Sequence, residues 1–234
     1  MRLRRSELQK VWGGVFDQST IMTLYQLLKR GVITQLERVV KRGKESLVIA
    51  GTGRDGRVAI KIYAVAAANF RRMMPYLLGD PRFARIKRDR RSIVYAWCRK
   101  EFSNLQTAAA AGVACPRPLA ALNNVLVMSF IGAELPAKRL CDTVVDKPRK
   151  VFERIIRNVK LLYRAGLVHA DLSEYNVLLL DSKPYLIDFS QSTVLAHPNA
   201  AHWLRRDIRN ICRYFSKLGI RAPEQETYMK ITES

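Results

Sequence analysis

Two carboxylates and a carboxamide stand close together in the second half of the chain, in the runs H-A-D-L-S-E-Y-N at 169–176 and I-D-F-S-Q at 187–191. Phosphoryl transfer needs hard oxygen ligands for Mg²⁺ beside a carboxylate that can orient or deprotonate an attacking hydroxyl. Asp171 suits the second task, and Asn176 with Asp188 suits the first. Each has an ordinary explanation when taken alone: His169 packs in a loop, Asn176 makes a turn, Asp188 ends a solvated strand. The set in this order, with a hairpin between its two halves, is what points to chemistry.

The spacing H-x-D-x-x-x-x-N, followed by a strand-borne Asp 17 residues after Asp171, is similar to the catalytic and metal-binding loops of eukaryotic-like protein kinases. Upstream, V-A-I-K-I-Y at 58–63 places Lys61 on an apolar strand, where its ammonium is costly to bury unless it meets anions. Protein kinases pair such a lysine with a glutamate of the next helix. Between residues 90 and 133 the one carboxylate is Glu101, which shares a helix face with Trp97 and Leu105. A phosphate-binding loop is expected before Lys61, and R-G-K-E-S-L-V at 42–48 fits the place. It has Gly43 alone, so Lys44, Ser46 and neighbouring N–H groups must supplement it.

The elements that position these residues follow from periodicity and capping. A capped helix is expected over Ser19–Gly31, and strands over Ser46–Ala50 and Val58–Tyr63 joined by G-T-G-R-D-G-R. Val32–Val40 has no clear period. Residues 69–100 carry ten Lys/Arg against Asp80 and Asp89; the first part, with Pro75, Gly79 and Pro81, reads as a flexible loop over 69–92, and Ile93–Ala111 as a helix. Then come a strand at Val125–Phe130, an amphipathic helix at Pro148–Arg164, a hairpin of Val177–Leu180 with Tyr185–Ile187, and a helix at Asn199–Leu218. The organisation expected is a helical N-terminal extension over 1–40, a sheet-rich lobe over 41–131 and a helical lobe over 132–234.

In this 234-residue chain 41 Lys+Arg oppose 20 Asp+Glu, a formal charge of +21. A polyanionic partner follows naturally from that excess, and so does a generally charge-rich surface. Cys98, Cys115, Cys141 and Cys212 are far apart, with no C-x-x-C pair, which argues against a zinc site or a disulfide framework. No apolar run is long enough to span a membrane, and Met1–Lys10 is too polar for a signal peptide, so a cytoplasmic location is expected.

Several blocks together resemble the RIO kinases, an atypical serine/threonine protein-kinase family. They are G-K-E-S-L-V in the phosphate loop, A-I-K-I-Y at 59–63, W-x-x-K-E-F-x-N-L from Trp97 to Leu105, C-P-x-P at 115–118, L-V-M-S-F-I-G at 126–132, H-A-D-L-S-E-Y-N, and I-D-F-S-Q-S at 187–192. The similarity runs over roughly residues 15–218, and G-V-F-D-x-x-T-I-x-x-L-Y with R-G-V-I-x-x-L at 30–36 is similar to the first RIO subfamily. Ser46, Leu47 and Phe189 depart from the family's commoner residues. About 40 residues precede the phosphate loop, fewer than the winged-helix domain of the second subfamily needs.

The resemblance implies an α+β, two-lobed kinase-like fold, with a small antiparallel-sheet N-lobe, a reduced helical C-lobe and ATP in the cleft. It implies ATP held by Gly43, Lys44, Ser46, Lys61, Met128 and the main chain of Ser129 and Ile131. It implies Glu101 as the partner of Lys61, Asp171 and Asp188 as catalytic residues, and Asn176 and Asp188 as ligands of Mg²⁺, or of Mn²⁺ in its place. ATP hydrolysis, autophosphorylation, phosphoryl transfer onto Asp188, and work on the pre-ribosomal small subunit and its ribosomal RNA are implied too, with the protein phosphoacceptor unknown. Asp188 stands 46 residues before the chain end and no A-P-E motif follows it, which speaks against ordinary peptide-substrate recognition. Two other readings are a small-molecule kinase of the aminoglycoside or choline kinase sort, and an RNA-binding assembly factor that uses ATP as a conformational switch. The basic stretch 69–100 and Arg205, Arg206, Arg209 and Arg213 support the latter, and Ser92 is a candidate autophosphorylation site.

Overall fold

Helix α1, Gln18–Lys29, is capped by Asp17, whose carboxylate accepts the N–H of Thr20 at 2.9 Å. It ends before Gly31, which sits at φ +71° where a side chain is disfavoured. Ile21, Leu24 and Leu27 recur every three residues and are buried. The computed structural model describes residues 16–66, 68–83, 86–87 and 89–233. They gather into two units, the first drawn from residues up to Met74, Arg85–Phe102 and Arg117–Phe130, the second from Pro75–Ala84, Ser103–Pro116 and Ile131 onward.

The first unit is a five-stranded antiparallel sheet of β1 (Gln35–Arg42), β2 (Ser46–Gly53), β3 (Gly56–Tyr63), β4 (Pro118–Leu122) and β5 (Val125–Ser129), ordered β1-β2-β3-β5-β4. Alternation along β3 divides its work between two faces. Val58, Ile60 and Ile62 join Leu47, Ile49, Val125, Val127 and α1 in one core. Lys61, opposite Val48 and Leu126, faces the other way with Tyr63. Asn124 ties the layers, its amide donating to Thr20 Oγ1 at 2.9 Å and the Tyr63 carbonyl at 2.8 Å.

Three expectations change here. The sheet begins at Gln35, inside the segment read as a helical extension; residues 1–15 of that segment lie outside the described residues. Strand β1 is an edge strand with mostly exposed charged positions and two register shifts, so it carries no alternation to read. The expected loop over 69–92 contains α2, Phe70–Leu78, with Pro75 inside it. Asn69 accepts the Arg72 N–H at 3.3 Å, while Met73 and Leu77 are buried, so packing overrides the proline signal. Helix α3, Arg90–Ala110, starts earlier than Ile93 because Asp89 caps it, accepting the Ser92 N–H at 2.9 Å.

The second unit holds α4 (Pro148–Arg164), α5 (Ala200–Lys217) and α6 (Glu224–Thr232), with a small sheet of three strands and another of two. Strands β8 (Val177–Leu180) and β9 (Lys183–Leu186) form the expected hairpin, paired from Val177↔Leu186 to Leu180↔Lys183. Its two-residue turn places Asp181 and Ser182 at φ +49° and +58°, the mirror-image turn that matches strand twist. The two-residue strands β6 (Lys138–Arg139), β7 (Leu167–Val168) and β10 (Thr193–Val194) and the last helix α6 were not expected. Helix α6 packs on α4 and α5, burying Thr227 and Ile231. Among the described residues no helix is long and apolar enough to cross a membrane. This is an α+β, kinase-like fold.

Candidate active site

The first unit carries Gly43, Lys44, Ser46, Lys61, Glu101, Met128 and Ser129. Lys61 Nζ lies 2.9 Å from Glu101 Oε1, with the lysine 5 % and the glutamate 1 % exposed. The pair expected from sequence is therefore made, on β3 and α3 respectively. The hydroxyl of Tyr63, two residues along the same strand face, donates to the other carboxylate oxygen of Glu101. That second donor was missed, although the period of two on β3 signals it. Lys100, the neighbour of Glu101, is itself buried against Trp97, while Arg99 beside it is exposed.

The phosphate-loop candidates lie in the short turn between β1 and β2. The Gly43 N–H donates to the Ser46 carbonyl at 2.8 Å, and a Cβ at Gly43 would stand 3.3 Å from the same oxygen. The Ala64 N–H binds Glu45 O at 2.9 Å. Gly43, Lys44 and Ser46 line a cavity of about 260 Å³ with Leu47, Tyr63 and Phe16. Ser129 ends β5; its N–H is taken by Arg117 O at 2.8 Å, and its hydroxyl accepts the Arg117 N–H at 2.8 Å.

The second unit carries Ile131, Asp171, Asn176 and Asp188. Asn176 Nδ2 donates to the main-chain oxygen of Asp171 at 2.8 Å and to its carboxylate at 3.1 Å, so the two are brought together as expected. Asp188 was expected on a strand, but β9 ends at Leu186 and Asp188 stands in the turn beyond it; the Ile187 N–H binds Asn176 O at 3.0 Å and so sets that turn against the 171–176 loop. His169 Nε2 meets the Ile187 carbonyl at 3.1 Å, and its ring packs on Phe189. Asp188 sits at φ +63°, and Ser190 Oγ donates to its Oδ1 at 2.7 Å. The Ile131 carbonyl accepts the Ala137 N–H at 2.9 Å.

Asp207 is the most consequential residue that sequence reasoning missed. It lies on α5 within the buried stripe Trp203, Leu204, Ile208, Ile211 and Phe215, where a lone carboxylate is the signal that could have found it. One oxygen accepts the Ala170 N–H at 2.7 Å and the other the Leu172 N–H at 2.9 Å, the amides on either side of Asp171. Ala170 is at φ +63°, a conformation costing an ordinary L-residue roughly 1 kcal/mol, and Asp207 holds it there. The Asp207 carboxyl is raised to about 8, because burial outweighs the opposing pull of the two N–H donors and the Arg206 guanidinium. Arg206 also donates to Ala170 O, and Asn210 Nδ2 to Leu172 O at 3.1 Å, so α5 grips the loop at four points.

A RIO domain model matches residues 46–228. The RIO-type serine/threonine-protein kinase Rio1 of Haloferax volcanii is 42 % identical over 234 residues, spanning 99 % of this chain and 81 % of that protein. Its namesake in Methanocaldococcus jannaschii is 41 % identical over 220 residues, 93 % of this chain and 76 % of that protein. The human serine/threonine-protein kinase RIO1 is 37 % identical over 213 residues, 88 % of this chain and 38 % of that protein. The fold is shared with the crystal structure of a Rio2 kinase–ADP/Mg²⁺–phosphoaspartate complex from Chaetomium thermophilum, with a TM-score of 0.70 at 22 % identity over 95 % of this chain and 68 % of that one. Taken with the Lys61–Glu101 pair and the Asp171–Asn176 loop, these matches establish that the chain is a kinase and belongs to the RIO family, in its Rio1 branch.

Proposed function

We propose that the chain is an ATP- and Mg²⁺-dependent serine/threonine protein kinase that also hydrolyses ATP and phosphorylates itself, acting in the cytoplasm on the maturing small ribosomal subunit. The observation that carries the catalytic part is the Asn176 amide. With Nδ2 donating to Asp171 at two oxygens, its Oδ1 is turned away as a free-standing acceptor for a cation. Asp188 supplies a second hard oxygen. An oxygen-only set of this kind suits Mg²⁺ or Mn²⁺, which supplies charge neutralisation at the phosphate oxygens when bound. Lys61, held by Glu101, would meet the phosphates with Gly43, Lys44 and Ser46. The Ser129 carbonyl and Ile131 N–H would pair with adenine, and Met128 would flank it.

Asp171 would orient an attacking hydroxyl. In the hydrolytic route a carboxylate oxygen of Asp188 attacks the γ-phosphorus as the bond to ADP breaks; ADP departs, and water then cleaves the acyl phosphate to release inorganic phosphate. The phosphoaspartate named for the Rio2 complex supports that route. The test is incubation with γ-³²P-ATP and Mg²⁺, following free phosphate and labelled protein, with hydroxylamine to cleave acyl phosphate selectively. We expect both products, one part of the protein label being hydroxylamine-sensitive and the rest resistant. Efficient labelling of choline or an aminoglycoside instead would overturn the protein-kinase reading, and ATP binding without either product would make ATP a conformational ligand.

For the RNA partner the supporting observation is a basic ridge. Three of the four α5 arginines expected to meet RNA are engaged internally: Arg205 over the Tyr228 ring at 4.1 Å, Arg209 with Glu224 at 3.3 Å, and Arg206 on the catalytic loop. Of the basic stretch, Arg85 and Arg88 lie outside the described residues, and Arg90 donates to Ala66 O. On α4, Arg149, Lys150, Arg157, Lys160 and Arg164 share one face with a single acid, Glu153, and of the five Lys160 donates to Glu233 O at 3.0 Å. At 100° per residue the six fall within an arc of about 100°, opposite buried Val151, Ile155, Val159 and Leu162, and the row is about 22 Å long. Changing Arg149, Lys150, Arg157 and Arg164 together to Gln should flatten the slope of log affinity for single-stranded RNA against log salt by about three units if all four meet phosphates. ATP turnover should hold. An unchanged slope would reduce the ridge to ordinary surface charge.

A further inference from the structure

A chain of polar contacts runs from the segment after α2 to the turn that carries Asp188, all of it within the second unit. Asp80 is fully buried. Its Oδ1 accepts the Arg82 main-chain N–H at 3.1 Å and Arg82 Nε at 2.9 Å, and its Oδ2 accepts Arg82 Nη2 at 2.7 Å. The same Nη2 donates to Asn104 Oδ1 at 2.8 Å. Asn104, also fully buried, donates from Nδ2 to the carbonyls of Phe189 at 3.0 Å and Ser192 at 2.7 Å. Ser192 Oγ in turn donates to His169 O at 2.9 Å.

An asparagine amide can grip two carbonyls only with its N–H₂ end facing them. Rotated by half a turn, Asn104 would aim its oxygen at two carbonyl oxygens and its hydrogens at a guanidinium. Arg82, donating to Oδ1, therefore selects the gripping orientation, and the two-oxygen fork from Asp80 fixes where Arg82 can stand. The gripped carbonyls belong to the residue immediately after Asp188 and to the one four beyond it. Between them lies Ser190, whose hydroxyl holds the Asp188 carboxylate. Asp188 itself is in the left-handed region, which persists only where its surroundings impose it.

We propose that Asp80, Arg82 and Asn104 form a positioning relay for the Asp188 carboxylate, with Arg82 as the element that sets the orientation of Asn104. The relay acts through the 188–192 turn and touches neither nucleotide nor metal. It rests on the reading of Asp188 as a metal ligand. It also removes Arg82 from the basic residues available to RNA, since its guanidinium is held on both sides and 28 % exposed.

The experiment compares Asn104→Asp, which keeps the bond from Arg82 but sets an oxygen against the two carbonyls, with Arg82→Gln and the milder Arg82→Lys. For each, the Mg²⁺ half-saturation of ATP turnover, KM for ATP at saturating Mg²⁺, and amide hydrogen exchange across 189–192 are measured. Groups that orient a metal ligand typically change metal affinity by about 10–100-fold. We expect Asn104→Asp and Arg82→Gln to raise the Mg²⁺ half-saturation at least about tenfold, with KM for ATP nearly unchanged and exchange faster at 189–192 but not in α4 or α5. Arg82→Lys, retaining charge without the fork, should fall between. A uniform rise in exchange over the whole chain would mean a merely structural role and would overturn the relay, as would an unchanged Mg²⁺ dependence. Asp188→Asn is the control for the underlying reading: if it leaves Mg²⁺ dependence intact the metal assignment fails, whereas loss there with no response at Asn104 and Arg82 sinks the relay alone.

Discussion

Asp188→Asn should lower both phosphate release and protein labelling by on the order of 10³-fold or more at saturating Mg²⁺, while the fold stays intact. Asparagine is the informative replacement. Asp188 stands at φ +63°, a conformation that Asn adopts as readily as Asp and that would strain alanine by roughly 1 kcal/mol. The amide can still accept the Ser190 hydroxyl through its oxygen. What disappears is the negative charge and one oxygen ligand, so the change isolates metal binding from backbone strain. Asp171→Asn makes the contrasting case: the rate should fall sharply while ADP affinity holds, because Asp171 is assigned to the hydroxyl and not to the phosphates. Labelled transfer, nucleotide titration and a melting curve on the two variants check both expectations. Wild-type turnover by Asp188→Asn would remove the metal site from the account.

Local signals decided which parts of this molecule could be read from sequence. The α4 boundaries, Pro148–Arg164, were legible because a proline opens the helix, an apolar stripe runs through it and a glycine follows. The β8–β9 hairpin was legible from D-S-K-P between two apolar runs, and the candidate catalytic residues were singled out by spacing that few other chemistries require. Strand β4 was not, because its five half-buried residues never alternate. Helix α6 was not, because nine residues with two buried positions gain most of their stability from α4 and α5, not from their own pattern. Helix α2 was read as a loop from Pro75, and the contacts that outweigh the proline are distant in sequence: Tyr76 stacks on Trp203 at 4.5 Å, and Pro75 O meets His197 Nε2 at 2.9 Å.

The site shows the same division. Lys61, Glu101, Asp171, Asn176 and Asp188 were singled out because each stands in a short local pattern: a strand period for Lys61, a helix face for Glu101, and the 169–176 and 187–191 runs for the others. The groups that hold them come from far along the chain. Asp207 reaches back 37 residues to Ala170, and Asn104 reaches forward 85 to Phe189. Sequence spacing places no constraint on such pairs, so only the placement of a polar residue on a buried face hints at them. Asp207 gave that hint. Asp80 gave none, since it sits between Gly79 and Pro81 in a segment that looks like a solvated turn.

The Lys61–Glu101 pair turns this into a stability prediction that differs from the one sequence alone suggests. From sequence, Lys61→Ala is expected to abolish transfer with little loss of folding. In the structure both partners are almost fully buried, and removing the lysine takes the ammonium away from a carboxylate that also accepts from Tyr63. Breaking a buried ion pair from one side costs about 3–5 kcal/mol, because the stranded charge stays desolvated. Lys61→Met, which keeps the bulk of the stem, should therefore abolish transfer and also lower Tm by roughly 6–20 °C, at about 2–4 °C per kcal/mol for a chain this size. Lys61→Met combined with Glu101→Gln should recover most of that Tm, since the neutral amide can still accept from Tyr63 and no charge is left unpaired. Activity should remain absent in the double variant, because the ammonium proposed to meet the phosphates is gone. Thermal melts and labelled transfer on the two single variants and the double separate the roles: recovery of Tm without activity assigns the stability loss to the stranded Glu101 carboxylate. A double variant melting as low as Lys61→Met would instead mean that the lysine stem, and not the charge pair, holds β3 and α3 together.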